Sequence, residues 1–192
     1  MAVREILLYP KDKAALRAIS DPIHTFNRQT RRLIEDLKDT LLAHQDGIGL
    51  AAPQIGVLLR VVVVRLGAGD EEDREATPPI ALVNPKIVET GDERKDFDGC
   101  LSFPGLYGET IRPHYLHVTG TAEDGEQFNR IFRDFDAVLV HHEIDHLEGV
   151  LFIDRIVSLD DLYRVSIDDQ GEPLRVPIGK IIPVARHSYL AK

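Results

Sequence analysis

Two histidines, His142 and His146, stand four residues apart in "VHHEIDHLEG" (residues 140–149), with Glu143 directly after the first. On a helix, positions i and i+4 lie one above the other on a single face, so both imidazoles can reach one metal ion while Glu143 sits beside its open side. Such an arrangement suits metal-assisted hydrolysis. Two histidines do not complete it, because catalytic zinc-type sites use three protein ligands plus water. The longer pattern HExxHxxGxxH would place the third at position 152; Gly149 fits its glycine, but position 152 is phenylalanine. A downstream glutamate is a second route, and Glu172 is the candidate, in the turn sequence "DDQGEPL". The third is the single cysteine of the chain, Cys100, in "DGCLSFPG" (residues 98–105), a glycine-containing segment that could present a thiolate to the helix. Cysteine with two histidines leaves a fourth position for water or substrate.

The elements that must position these groups follow from periodicity. "AVLVHHEIDHL" reads as a helix starting near Asp134 or Asp136 and ending at Gly149, a natural residue just past a helix end. Asp145 is expected to cap or solvate this helix, with support of the metal-binding residues from behind as the alternative. In "HTFNRQTRRLIEDLKDTLLAHQDG", Leu33, Ile34, Leu37, Leu41 and Leu42 recur at helical spacing, with Thr25 as N-cap and Gly47 as the stop. "VLLRVVVVRL" (residues 57–66) is β-branched, and "ALVNPKIVET", "HVTGTAE" and "FNRIFRDF" add strands, the last two joined as a hairpin through Asp124 and Gly125. "GAGDEEDREATPP" (residues 67–79) reads as a solvated loop, its acidic run Asp70 to Glu75 included. Strands not regularly alternated with helices predict an α+β fold: mainly antiparallel strands packed around a central metal-binding helix, with an amphipathic N-terminal helix.

Composition excludes several classes. With 192 residues, 43% of them hydrophobic, the chain is expected to form one domain over residues 1–192. A net charge of −9, with no basic cluster interleaved with aromatics, argues against a nucleic-acid surface. One cysteine permits no intrachain disulfide and points to a reduced, intracellular setting. No stretch reaches the roughly eighteen apolar residues of a membrane helix, and the start "MAVREILLYP" turns polar too soon for a signal peptide. A soluble, cytoplasmic protein without a membrane partner is expected. His24, His44, His114, His117 and His187 have no partner pattern and are expected to be surface or core histidines.

Three separated blocks, "GIGLAAPQIG" (residues 47–56), "DGCLS" (98–102) and "HHEIDHLEG" (141–149), stand in the order found in peptide deformylases, and the chain resembles that family over about residues 6–156. Residues 157–192 form a C-terminal extension outside the resemblance, which could add a strand or cover an edge. The resemblance implies a metallohydrolase that releases formate from N-formylmethionyl peptides emerging from the ribosome. By it, Cys100, His142 and His146 hold one divalent ion and Glu143 carries the water proton to the leaving amine. Gln54 and the backbone N–H of Leu101 face the developing oxyanion. The resemblance implies Fe(II); Zn(II) or Ni(II) also suit the donors, and affinity order favours zinc. Gly47, Ile48 and Gly49 would take an extended peptide by strand addition, and Val138 and Leu139 would line a pocket for the methionine side chain.

Two positions depart from the family pattern: His141 stands for the usual glutamine before the motif, and Asp98 for the usual glutamate two before the cysteine. Both are positions that orient ligands. Aspartate is one methylene shorter, which leaves open whether a basic partner such as Arg112 reaches it. If the departures detune the site, the alternative is a deformylase-like protein of low activity or one acting on another N-acyl group.

Overall fold

The computed structural model describes residues 2–67, 77–167, 170 and 173–178. Most of the acidic segment expected as a loop, the tail beyond residue 178 and Glu172 lie outside the described residues. Among the described residues there are three α-helices: α1 (Lys13–Leu16), α2 (Arg28–Leu42) and α3 (Asp134–Leu147). The strands are β1 (Gly49–Ala51), β2 (Val61–Val64), β3 (Ile80–Gly99), β4 (Leu106–Ala122), β5 (Gln127–Arg133), β6 (Leu162–Ile167) and β7 (Pro173–Pro177). All pair antiparallel in one sheet ordered β1-β2-β3-β4-β6-β7, with β5 also on β4. The expected α+β architecture is therefore present.

The run Val61 to Val64 is fully buried because helices cover the sheet on both faces here. Val61 and Val63 pack with Ile34, Leu37 and Leu41 of α2, whereas Val62 and Val64 pack with Leu139, Val140, Ile144 and Leu147 of α3. Each fully buried leucine or valine contributes roughly 1.5–3 kcal/mol of hydrophobic free energy. The strand is shorter than residues 57–66 because the preceding backbone pairs elsewhere: Arg60 N–H donates to Asp21 O and Asp21 N–H to Leu58 O.

Helix α2 begins later than expected. Asn27, not Thr25, is its N-cap, accepting from the Gln29 and Thr30 N–H groups, while Thr25 offers its carbonyl to the Thr30 hydroxyl. Leu42 falls off the apolar stripe and is exposed, and the helix stops there, with Gly47 in the following turn. By contrast α3 ends as its sequence requires. Gly149 has a left-handed φ of 68°, its N–H donates to His146 O, and Val150 N–H reaches back to Asp145 O.

The hairpin of β4 and β5 turns through Asp124 and Gly125 as expected. Strand β3 runs far beyond "ALVNPKIVET", through the charged "GDERKDFDG", because β4 supplies partners along its whole length. The segment after residue 157 contributes the hairpin of β6 and β7, whose first strand pairs with Leu106–Gly108 at the start of β4.

Candidate metal centre and catalytic site

Cys100 lies in the tight turn that follows β3, where Phe103 N–H closes onto the Cys100 carbonyl at 2.9 Å. The helical spacing of α3 brings His142 and His146 to the same place. One potential ligand atom from each of Cys100, His142 and His146 lies within 4.8 Å of the others, and Cys100 Sγ is 3.3 Å from His146 Nε2. Both histidines are buried and the cysteine partly so. A thiol and two imidazoles at this separation match the donor set of a tetrahedral site with one position left open. Phe152 belongs to an apolar cluster with Leu16, Phe103 and Leu151, which closes that route to a third ligand.

The second side of each imidazole decides its chemistry. His142 Nδ1 meets Asp98 Oδ1 at 2.7 Å, so this nitrogen donates to the carboxylate and Nε2 is free to ligate. The shortened Asp98 does find its basic partner: Oδ2 accepts from Arg112 Nε at 2.6 Å and from the Thr110 hydroxyl at 2.9 Å. Burial alone would raise the Asp98 pKa, but the charges of His142 and Arg112 and their hydrogen bonds drive it far below the usual range. Burial likewise disfavours charge on His142, yet Asp98 holds its pKa well above the ordinary value. His146 has no such partner; burial, with His142 adding to it, lowers it to about 3.

Arg112, fully buried on β4, is the hub that sequence reasoning reached only as a possible partner of Asp98. Besides Asp98 it donates to Asp145 Oδ2 (2.8 Å) and to His141 Nδ1 (2.7 Å). Asp145 neither caps nor solvates the helix. It is buried, also accepts two bonds from Arg155 (2.7 and 2.9 Å), and is lowered to about 2 because those pairs outweigh its burial. His141 is pushed by burial to about 4, and so accepts from Arg112 as a neutral ring. Thr110, Arg112 and His114 share the inward face of β4 by strand alternation. Three polar side chains at successive inward positions were the available sign. His114 is a core histidine, with Nε2 3.2 Å from Asp96 Oδ2, and His187 lies outside the described residues.

Glu143 is buried and its Oε2 has no hydrogen-bond partner among the described residues. Burial raises its pKa to about 7, against the opposing charge of His142. Its side chain fills the space over Gly49: a Cβ there would stand 2.8 Å from Glu143 Cδ and 2.9 Å from Cγ. Gly49 belongs to β1, an edge of the sheet. Ile48 O already accepts from Arg65 N–H at 2.8 Å, so by alternation the neighbouring Gly49 turns its backbone groups to the open side. Gly47 has a different task, since a Cβ there would meet Leu41 Cδ1 of α2 at 2.8 Å.

Gln54, buried in a one-turn 3-10 helix (Ala52–Ile55), has a fixed amide orientation. Its Oε1 accepts from Ala51 N–H at 2.8 Å, which directs its NH2 toward Cys100 Sγ (3.4 Å) and the Ser102 hydroxyl (3.2 Å). Ser102, fully buried, was not singled out from the sequence. Leu101 follows Cys100 in the same turn. Val138, one turn before His142, is buried; Leu139 is part of the core against Val62 and Val64.

Residues 3–161 match the family model of polypeptide deformylase. Peptide deformylase 1 of Bacillus subtilis is 40% identical over 156 residues, which span 81% of this chain and 91% of that protein. The chain belongs to the peptide deformylase family. A family member from Thermomicrobium roseum is 37% identical over 179 residues, 93% of this chain and 99% of its own length. Among solved family structures, the peptide deformylase of Legionella pneumophila superposes with a TM-score of 0.71 at 36% identity, covering 82% of this chain and 88% of the other. The peptide deformylase of Thermotoga maritima gives 0.72 at 33% identity, covering 82% and 100%.

Proposed function

We propose that Cys100, His142 and His146 hold one divalent metal ion, Fe(II) in the native protein with Zn(II) or Ni(II) able to replace it, and that Glu143 is the general base. The chain is a metal-dependent hydrolase that removes the N-terminal formyl group from formylmethionyl peptides. A divalent cation in this donor set would acidify water and polarise a carbonyl oxygen. The observation that carries the role of Glu143 is its unpartnered, buried carboxylate beside the three clustered ligands, with a pKa raised to about 7. It takes a proton from water as the water oxygen bonds to the formyl carbon, and returns it to the departing amine as the C–N bond breaks, so formate and a free amino terminus result. The Gln54 NH2 group and the Leu101 N–H stabilise the negative charge that develops on the formyl oxygen.

The peptide enters as an added strand along the open side of β1, using the backbone around Ile48 and Gly49, with Gly47 setting the preceding turn. Val138 and Leu139 flank the methionine side chain. Asp98 still bridges Arg112 and His142, which supports full rather than residual activity. Formylated termini belong to chains in synthesis, which places the substrate near the ribosome and the enzyme in the cytoplasm. No described helix is long and apolar enough to cross a membrane. The fold reads as one domain, the β6 and β7 hairpin included.

Glu143→Gln tests this reading, because the amide keeps size and hydrogen bonding but cannot accept a proton. Metal content should stay at the wild-type level while formate release from a formyl-Met peptide falls at least ~100-fold. Metal lost together with activity would make Glu143 a ligand; undiminished turnover would place the base elsewhere.

A further inference from the structure

A second cavity, of about 370 Å³, opens on the side of α3 turned away from the metal ligands, where His141, Ile144, Asp145 and Glu148 lie. Its wall is apolar at Ile87, Ile144 and Val150. Most of its charge is already engaged. Arg60 pairs with Glu148 at 2.6 Å, and Arg155 with Asp145 at 2.7 Å. Lys86, exposed at the rim, has no hydrogen-bond or ion-pair partner among the described residues, which leaves one uncompensated positive charge.

The second polar group is His141, only 7% exposed. Its Nδ1 faces Arg112 Nη1 at 2.7 Å, and a guanidinium only donates, so Nδ1 is the bare nitrogen and Nε2 carries the hydrogen. That N–H has no acceptor among the described residues, and the ring forms part of the cavity wall. One ammonium, one oriented N–H donor and an aliphatic wall, in a volume within the range of small-molecule sites, call for a single carboxylate on a short apolar body.

We propose that this cavity binds a small monocarboxylate with an aliphatic tail, its carboxylate held by Lys86 and the His141 Nε2–H and its tail against Ile87, Ile144 and Val150. Lys86 takes no part in the hydrolysis, so its substitution tests the site apart from the reaction.

The probe is hexanoate, titrated into the zinc-loaded, isotope-labelled full chain and followed by NMR. Saturable shifts are expected at His141 Nε2 and at the amides of Ile144 and Val150. Hexan-1-ol and hexylammonium should bind at least tenfold more weakly. Lys86→Ala should weaken hexanoate at least fivefold, with zinc content and formate release unchanged. Shifts confined to the surroundings of Cys100 and Gly49 would mean that the carboxylate goes to the metal instead, and would overturn the proposal. So would equal binding of the alcohol, indifference to Lys86→Ala, or no saturation, the result expected if water alone satisfies the His141 N–H.

Discussion

Helices α2 and α3 cover opposite faces of the same strands, yet they bury different chemistry. On α2 a stripe of Ile34, Leu37 and Leu41 enters the core while residues such as Arg31, Arg32 and Glu35 stay in water, and Asn27 caps its start. On α3 every residue from Ala137 to Leu147 is buried, including His141, His142, Glu143, Asp145 and His146, and no side chain caps its N-terminus. The first helix is held mainly by apolar area, with buried Asp36 bonded to Arg4 and the Ala2 N–H. The second is held partly by pairing its polar groups with strands β3 and β4, chiefly through Arg112. Buried ion pairs add little net stability over an apolar core, but removing one partner is costly because it strands the other. The sheet thus has one face built for stability and one on which stability is tied to the geometry of Cys100, His142 and His146.

The largest effect should come from breaking that tie. Arg112→Leu leaves Asp98 buried without its cation and Asp145 with Arg155 alone, so it should cost about 3–5 kcal/mol in urea unfolding and weaken metal binding together. A loss below about 1 kcal/mol would show that the hub does not hold this face. Leu37→Ala, on α2, should cost about 2–5 kcal/mol by opening a cavity, but leave kcat of the metal-loaded enzyme within about twofold. A large fall in kcat there would erase the distinction between the two faces.

Acid separates them next. The Asp145 pKa is depressed, so its stabilising contribution is complete above the unfolded value of 3.8 and is lost as pH falls toward about 2. That contribution is about 2 kcal/mol, and the depressed Asp98 acts in the same direction. In metal-free protein, the stability gap between wild type and Asp145→Asn should therefore shrink from pH 6 to pH 2; a constant gap would rule out this linkage. The smallest effect belongs to the cap. Asn27→Ala should cost about 1 kcal/mol, read as a lower urea midpoint, with metal affinity untouched.

The same contrast explains what could be read in advance. Helix spacing places His142, Glu143 and His146 on neighbouring faces whatever surrounds them, and Gly149 marks the end of α3 by its backbone alone. The cap of α2 was misplaced because Thr25 and Asn27 both have capping side chains, and only the chain path chooses between them. Leu42 satisfied the helical spacing at the last turn but faces water. The charged end of β3 has no apolar alternation, so its strand character comes from pairing with β4, a partner no local window contains. Arg112 was hardest to place. A guanidinium on an inward strand position contradicts the pattern that identifies inward positions, and only Asp98, Asp145 and the His141 imidazole make it permissible.

Strand β4 shares one edge with β3, while β5 and β6 divide the other between its far and near ends. Arg112 sits in the interval between them, within reach of α3. Along this interval β4 has a strand neighbour only on the β3 side, apart from a bridge between Thr110 and Ile156. Hydrogen exchange should therefore fall into two classes here: amides bonded to β3 open with the sheet, whereas those facing the interval between β5 and β6 exchange sooner. His142 is thus anchored, through Asp98 and Arg112, to a stretch of β4 that the sheet grips from one side.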